Sequence, residues 1–213
     1  MLHLWFCVDR KQNTKSAFQL IRQNYLSGVE EQILLVPEQF SHSVQEAFCR
    51  SEGDRASLMA QVLDFTRLAG EVFSREGGIA ELRAGAPGKL LMMALAVEQV
   101  RSRLKIYGNS AEKPEFLMQL LYMLDEFRSY CVTPDSLRKA SADLEGILGQ
   151  KMEEFALLME SFDAVCHTCG MNPKGLLNQL AETMEVSDYP KGKRFYLDGF
   201  SDFTGVQLEI LTE

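Results

Sequence analysis

Four short apolar runs, each followed by residues at helical spacing, constrain this chain more than any other feature of it. Leu2–Val8 precedes apolar residues at Ala17, Phe18, Leu20, Ile21 and Tyr25, and Gln32–Pro37 precedes a helix running to about Cys49. Ala60–Phe65 precedes a helix opened by Thr66-Arg67-Leu68-Ala69, and Phe195–Leu197 ends at Asp198 ahead of a helical stretch from Phe203 to Leu211. Runs of this length without internal alternation read as strands buried on both faces, and strands alternating with helices predict a parallel sheet with right-handed crossovers. Between the third run and the last, the character changes. Leu90–Leu104, Phe116–Tyr130, Leu137–Leu144, Met152–Val165 and Leu176–Met184 all carry helical spacing, with breaks at Gly108-Asn109, Thr133-Pro134, Gly149, Asn172-Pro173 and Asp188-Tyr189-Pro190. The expectation is an α/β core formed by residues 1–85 and 186–213, with an all-helical insertion over 86–185. Because the last helix begins just as the sequence stops, the chain reads as the amino-terminal piece of something longer.

Composition narrows the function classes. With 46% hydrophobic residues the 213-residue chain can build a sizeable core. A formal net charge of -8 supplies no general basic field, so any contact with nucleic acid depends on local placement of Arg and Lys. Five cysteines at scattered positions do not form a disulfide framework and predict reduced thiols. No apolar run reaches membrane length and no signal-peptide pattern opens the chain, so a cytoplasmic protein without membrane contact is expected.

The chemistry-bearing residues gather at the ends of the apolar runs, and in an open parallel sheet that edge is where ligands bind. Gln39, Phe40 and Ser41 follow the second run, Phe65, Thr66 and Arg67 the third, and Asp198, Gly199 and Phe200 the last. A strand ending in Asp is how P-loop nucleoside triphosphatases hold magnesium, commonly with a Glu next to it; here Gly199 stands in that place. The segment Asp9–Ser16 occupies the position of a phosphate loop, yet Asp9 and Thr14 replace its two glycines while Lys15 and Ser16 remain. The plainer reading is a polar loop whose Asn13 or Thr14 caps the helix. For Phe40 and Phe65 the alternative is core packing, for Arg67 a solvated helix start, and for Asp198 a turn cap. Cys166-His167-Thr168-Cys169 lacks the second ligand pair of a zinc site and reads as ordinary thiols at a helix end. Acid pairs such as Asp125-Glu126 and Glu153-Glu154 read as solvated helix faces, and Met92, Met93, Met118, Met123, Met152 and Met159 as core filler.

Five short motifs occur in a fixed order: Val36-Pro-Glu-Gln-Phe-Ser41, Leu63-Asp-Phe-Thr-Arg-Leu-Ala69, Leu124-Asp-Glu-Phe-Arg-Ser-Tyr130, Glu153-Glu-Phe-Ala-Leu-Leu158 and Leu197-Asp-Gly-Phe-Ser-Asp-Phe203. Together they resemble the amino-terminal helicase-like region of AddB, which with AddA makes up the bacterial AddAB helicase-nuclease of the RecBCD class. That resemblance implies a P-loop NTPase-like, superfamily 1 helicase-like sheet, and a heterodimer with AddA, which is the motor. It implies a module without catalysis of its own that receives single-stranded DNA and scans it for the Chi hotspot during recombinational repair. By the same resemblance, Gln39, Phe40, Ser41, Phe65, Thr66, Arg67 and Phe200 face the strand, with Phe65 or Phe200 stacking on a base. The family's nuclease domain and iron-sulfur cluster belong to a carboxyl-terminal region beyond this sequence. Two alternatives accompany this reading: a residual nucleotide-binding module in which Lys15, Ser16 and Asp198 hold ATP and magnesium, and a scaffold for AddA. The missing glycines and the missing acid at Gly199 argue against the first.

Overall fold

A computed structural model describes residues 10–77, 85–110 and 113–212. The first apolar run, Leu2–Val8, lies outside them. The described part of the first segment runs α1 (Arg10–Leu26), β1 (Gln32–Leu35), α2 (Glu38–Glu52), the short α3 (Ala56–Met59), β2 (Gln61–Leu63) and α4 (Phe65–Glu76). After the helical block come β3 (Arg194–Leu197) and α10 (Gly205–Thr212). The three strands form a parallel sheet in the order β2-β1-β3, with Leu35 opposite both Leu63 and Leu197. The described residues are mostly helical, with this one small sheet.

β1 is central and fully buried, which is why its sequence carries no polar alternation. Leu34, Val36 and Val62 pack against Phe18 and Ile21 of α1 and Phe48 of α2 in one cluster. The single polar residue in the strand, Gln32, is 2% exposed and fully employed. Its Nε2 donates to the carbonyls of Ile21 (3.1 Å) and Met59 (3.0 Å), and its Oε1 accepts from the Tyr196 hydroxyl of β3, which itself accepts from Asn24 Nδ2 at 2.7 Å. One carboxamide thus ties α1, the end of α3 and β3 to the middle strand. Leaving any of these groups unpaired in the core costs more than the bond itself contributes.

The chain divides into two compact units, one of Met1–Gly77, Leu180–Phe203 and Gln207–Glu213, the other of Gly78–Gln179 and Thr204–Val206. The second is built from α5 (Ala86–Val100), α6 (Pro114–Ser129), α7 (Pro134–Ala142) and α8 (Ile147–Thr168), with α9 (Leu176–Val186) beginning in it. The long α8 packs along α5 and α7, burying Phe155, Leu158 and Phe162 against Met93, Leu120 and Leu124. Thr133 and Ser136 form a reciprocal capping box at the start of α7.

Several expectations are corrected here. Residues 10–13, read as loop, are helical: Arg, Lys and Gln are good helix formers, no Gly or Pro interrupts them, and the Ser16 hydroxyl donates to the Gln12 carbonyl at 2.9 Å. Neither Asn13 nor Thr14 therefore opens the helix. Glu154, read as solvated, is buried and accepts from three successive amides, those of Lys105, Ile106 and Tyr107, at 2.9 to 3.1 Å. A turn whose amides point one way needs an anion, and Glu154 supplies it. Met118, read as core filler, is exposed, whereas Met92, Met93 and Met159 are buried as expected.

Two tyrosines in the sheet unit make opposite predictions. Tyr196 bridges Asn24 and Gln32, so Tyr196→Phe is expected to lower unfolding free energy by about 1–3 kcal/mol in urea titrations. Tyr189 is buried, but its hydroxyl is enclosed without a hydrogen-bond partner among the described residues, and its ring lies against Arg75 and Lys193. Tyr189→Phe keeps those ring contacts and removes an unsatisfied group, so it is expected to leave stability unchanged or raise it by about 1 kcal/mol. A large loss at Tyr189→Phe would contradict the assignment.

Candidate functional site

Parallel pairing brings the carboxyl ends of β2, β1 and β3 side by side, and each end turns into a segment carrying the polar and aromatic residues singled out above. After β1, the Val36 amide continues the ladder by donating to the Leu63 carbonyl at 2.9 Å, and Pro37 stands at the N-cap position just before α2. Proline at this point fixes φ and, having no amide hydrogen to donate, helps to end the strand. Gln39 is exposed on the first turn of α2, Ser41 is half-buried, and Phe40 packs inward on the cluster around Phe18 and Phe48.

After β2, the buried Asp64 caps α4: its Oδ1 accepts from the Arg67 amide at 2.8 Å. The helix therefore starts at Phe65, one residue before the expected opening. Thr66 and Arg67 are exposed on its first turn, with Arg67 Nη1 donating to Gln45 Oε1 at 3.2 Å. Two helix amino termini consequently face this edge, where aligned peptide dipoles favour negative groups such as phosphates.

After β3, the Asp198 amide donates to the Leu35 carbonyl at 3.0 Å, and its side chain, 8% exposed, accepts from Thr14 Oγ1 of α1 at 2.6 Å. Gly199 then adopts φ of 81°, a left-handed conformation that suits glycine and turns the chain sharply. A Glu in this place would be strained as well as chemically different. Beyond the turn, Phe200 is half-buried, meeting Phe65 edge-on (5.7 Å between ring centres) and Phe203 at 4.8 Å with planes 31° apart.

Phe65 itself is 5% exposed, which corrects the expectation that it offers a face to a base. Its ring supports Phe200 from beneath. Among the aromatic residues named for stacking, Phe200 is the one with surface to give.

The residues proposed for nucleotide binding are not assembled as a phosphate loop. Lys15 and Ser16 lie exposed within α1, and inside a helix the amides from Thr14 onward belong to the i−4 carbonyls and cannot cradle phosphate. The Ser16 hydroxyl is turned to Gln12, and it is Thr14, which stands in the place of the second glycine, that meets Asp198. These residues do not fit MgATP as they stand. Among the described residues no group of three or more His, Cys, Asp or Glu is arranged to hold a metal ion. Cys166 is buried beside Met92 and its thiol is pushed up to about 11 by burial, while Cys169 is exposed. No helix among the described residues is long and apolar enough to cross a membrane.

Sequence reasoning missed three contributors: Thr14 as partner of Asp198, Gln45 as partner of Arg67, and Phe203 as the ring behind Phe200. Asp64, three residues before Arg67, carried a readable capping signal. Gln45 carried none, since its contact joins two separate helices.

A parallel α/β unit with polar and aromatic groups along the carboxyl edge of its strands is the class that fold and site define. Comparison with known proteins carries this further. Residues 10–213 match the family described as ADDB, N-terminal. The ATP-dependent helicase/deoxyribonuclease B subunit of Pelotomaculum thermopropionicum is 34% identical over 207 residues, covering 93% of this chain and 18% of that protein. Proteins of the same description from Thermoanaerobacter sp. strain X514 (31% identical, 84% of this chain, 16% of that protein) and Geobacillus thermodenitrificans (30%, 85% and 16%) are also similar. The chain belongs to the AddB amino-terminal family. It spans less than a fifth of the length of these curated relatives.

The geometry separates the roles of Phe65 and Phe200. Phe65→Ala empties a buried position and is expected to cost about 3–5 kcal/mol in chemical unfolding, whereas Phe200→Ala, with part of its ring already in solvent, should cost clearly less. Equal losses would show that the two rings are equally part of the core.

Proposed function

We propose that this chain acts as the amino-terminal part of AddB in a bacterial ATP-dependent helicase/deoxyribonuclease of double-strand break repair, and that it binds single-stranded DNA without hydrolysing ATP. The observation that carries this reading is the single sheet edge holding exposed Gln39, Thr66 and Arg67, half-buried Ser41 and the supported ring of Phe200. In this reading the sheet is a P-loop NTPase-like helicase core whose nucleotide site has fallen out of use. Phosphates of the strand lie over the first turns of α2 and α4 with Arg67, a base stacks on Phe200, and the Gln39 amide reads a base edge. Scanning for Chi would add sequence preference to this contact. The relatives are described as one lettered component of a helicase/deoxyribonuclease, so a partner, AddA, belongs to the proposal. Nuclease activity and an iron-sulfur cluster would reside in parts of the full-length protein beyond these residues, and a cytoplasmic location suits the role.

A second reading, a docking scaffold for AddA, is favoured by exposed Leu91 and Leu95 one turn apart on α5 and exposed Met118 and Tyr122 one turn apart on α6. Retention of AddA after alteration of these four positions would count against it.

The test is fluorescence anisotropy of labelled single-stranded oligonucleotides at two salt concentrations, with and without MgATP. Saturable binding indifferent to MgATP is expected. Phe200→Ala should weaken it about tenfold, the scale of one lost base stack, and Arg67→Ala should also weaken it and reduce the salt slope by about one. Unchanged affinity in both variants would overturn the site.

A further inference from the structure

The hydrogen bond between Thr14 and Asp198 has no place in a nucleotide site that the surrounding residues cannot form, yet it is partly buried, short at 2.6 Å, and spans 184 residues of sequence. It sits at a mechanically sensitive point. Asp198 is the last residue of the chain held by the sheet, through its amide on the Leu35 carbonyl, and the next residue is the left-handed Gly199 that aims Phe200. With its backbone tied to β1 and its side chain tied to α1, Asp198 is fixed at two independent points. Without the Thr14 bond, a glycine hinge would follow a residue whose remaining hydrogen bond to the described sheet is that of its amide. The place of the Phe200 ring would then rest more heavily on its contacts with Phe65 and Phe203.

We infer that Thr14 and Asp198 are positioning residues: their hydrogen bond sets the direction of the Gly199–Phe203 turn, and so holds Phe200 where a base of a bound single strand can stack. Neither residue touches the strand in this account. The inference rests on the reading of the edge as a DNA-binding surface. It adds that a carboxylate at the end of β3 serves aromatic recognition, with a hydroxyl where a metal ion would otherwise be sought. Threonine suits the task because its β-branch is stiff in a helix, which restricts the directions open to the hydroxyl.

The experiment is a set of titrations of the 213-residue chain with a labelled oligothymidine, at a temperature well below unfolding, with circular dichroism confirming that each variant is folded. Thr14→Val, close in shape but without the hydroxyl, is expected to weaken binding about two- to twelvefold, the range of one net hydrogen bond, and Thr14→Ser to restore it. Asp198→Ala, which removes the acceptor, should weaken binding to at least a similar extent, whereas Asp198→Asn, which keeps a carbonyl oxygen for the Thr14 hydroxyl, should weaken it less. In a Phe200→Ala background, Thr14→Val should add nothing further, because the ring it positions is gone. A merely structural role would lower the melting temperature while leaving affinity of the folded protein unchanged. Equal affinity for Thr14→Val and the parent, with Phe200→Ala still weakened, would overturn the inference and leave the DNA reading intact. No binding by the parent would overturn the DNA reading, and this inference with it. Magnesium chloride alone raising the melting temperature of the parent but not of Asp198→Asn would also overturn the inference, by making Asp198 a metal ligand.

Discussion

The carboxamide of Gln32 is the contact on which the rest of the sheet unit depends. A polar side chain in the middle of a fully buried strand is tolerated only if every hydrogen-bonding group finds a partner. Gln32 meets that condition by drawing in backbone carbonyls from α1 and α3 and the Tyr196 hydroxyl from β3. These bonds specify more than they stabilise. A slip of one residue between β1 and β3 would remove Tyr196 from Gln32 and turn the strand's side chains to the other face. The same register places Leu35 opposite Leu63 and Leu197, and so lines up the three strand ends from which Gln39, Arg67 and Phe200 are presented. The proposed binding edge is thus set from the opposite end of the strands.

At that edge the chain combines fixed and available groups in a consistent way. Asp64 and Asp198 are buried and committed to internal partners, Phe65 is buried and meets Phe200 edge-on, and the half-buried Phe40 packs against the core. Gln39, Thr66 and Arg67 stand exposed on the first turns of two helices. Such a division suits a surface that must hold an extended polymer without distorting itself. It does not suit hydrolysis of a nucleotide, for which the backbone of residues 10–16 would have to leave its helix and Gly199 would have to be an acid. The net charge of -8 opposes any general attraction to a polyanion, so a contact with a strand would have to rest on a few placed groups.

Much of this was legible in the sequence, for identifiable reasons. β1 and most of β2 announced themselves because strands buried on both faces must be apolar throughout. β3 showed through its short aromatic run although its residues are half-buried or exposed, and the helical block showed because one-sided burial leaves a spacing of three to four. Residues ending a parallel strand reach one edge whatever the intervening chain does, so the residues that gather at that edge could be grouped from the sequence. What stayed hidden depended on distance or on exposure. The helical state of residues 10–13 was obscured by a phosphate-loop spacing that drew attention to Lys15 and Ser16, when Thr14 was the residue that meets Asp198. Glu154 looked like one of a solvated pair, since nothing local reveals that three amides of a turn 47 to 49 residues away converge on it. Phe65 is buried and meets the ring of Phe200 edge-on, a contact between the segments following β2 and β3 that no single motif contains.

Hydrogen–deuterium exchange with and without a saturating oligothymidine tests the central claim most directly, because it locates the bound strand without altering a residue. The account predicts slowed exchange at the start of α2, the start of α4 and the turn following β3, with little change in the helical unit. Protection confined to α5, α6 or α8, with those three segments unaffected, would contradict it.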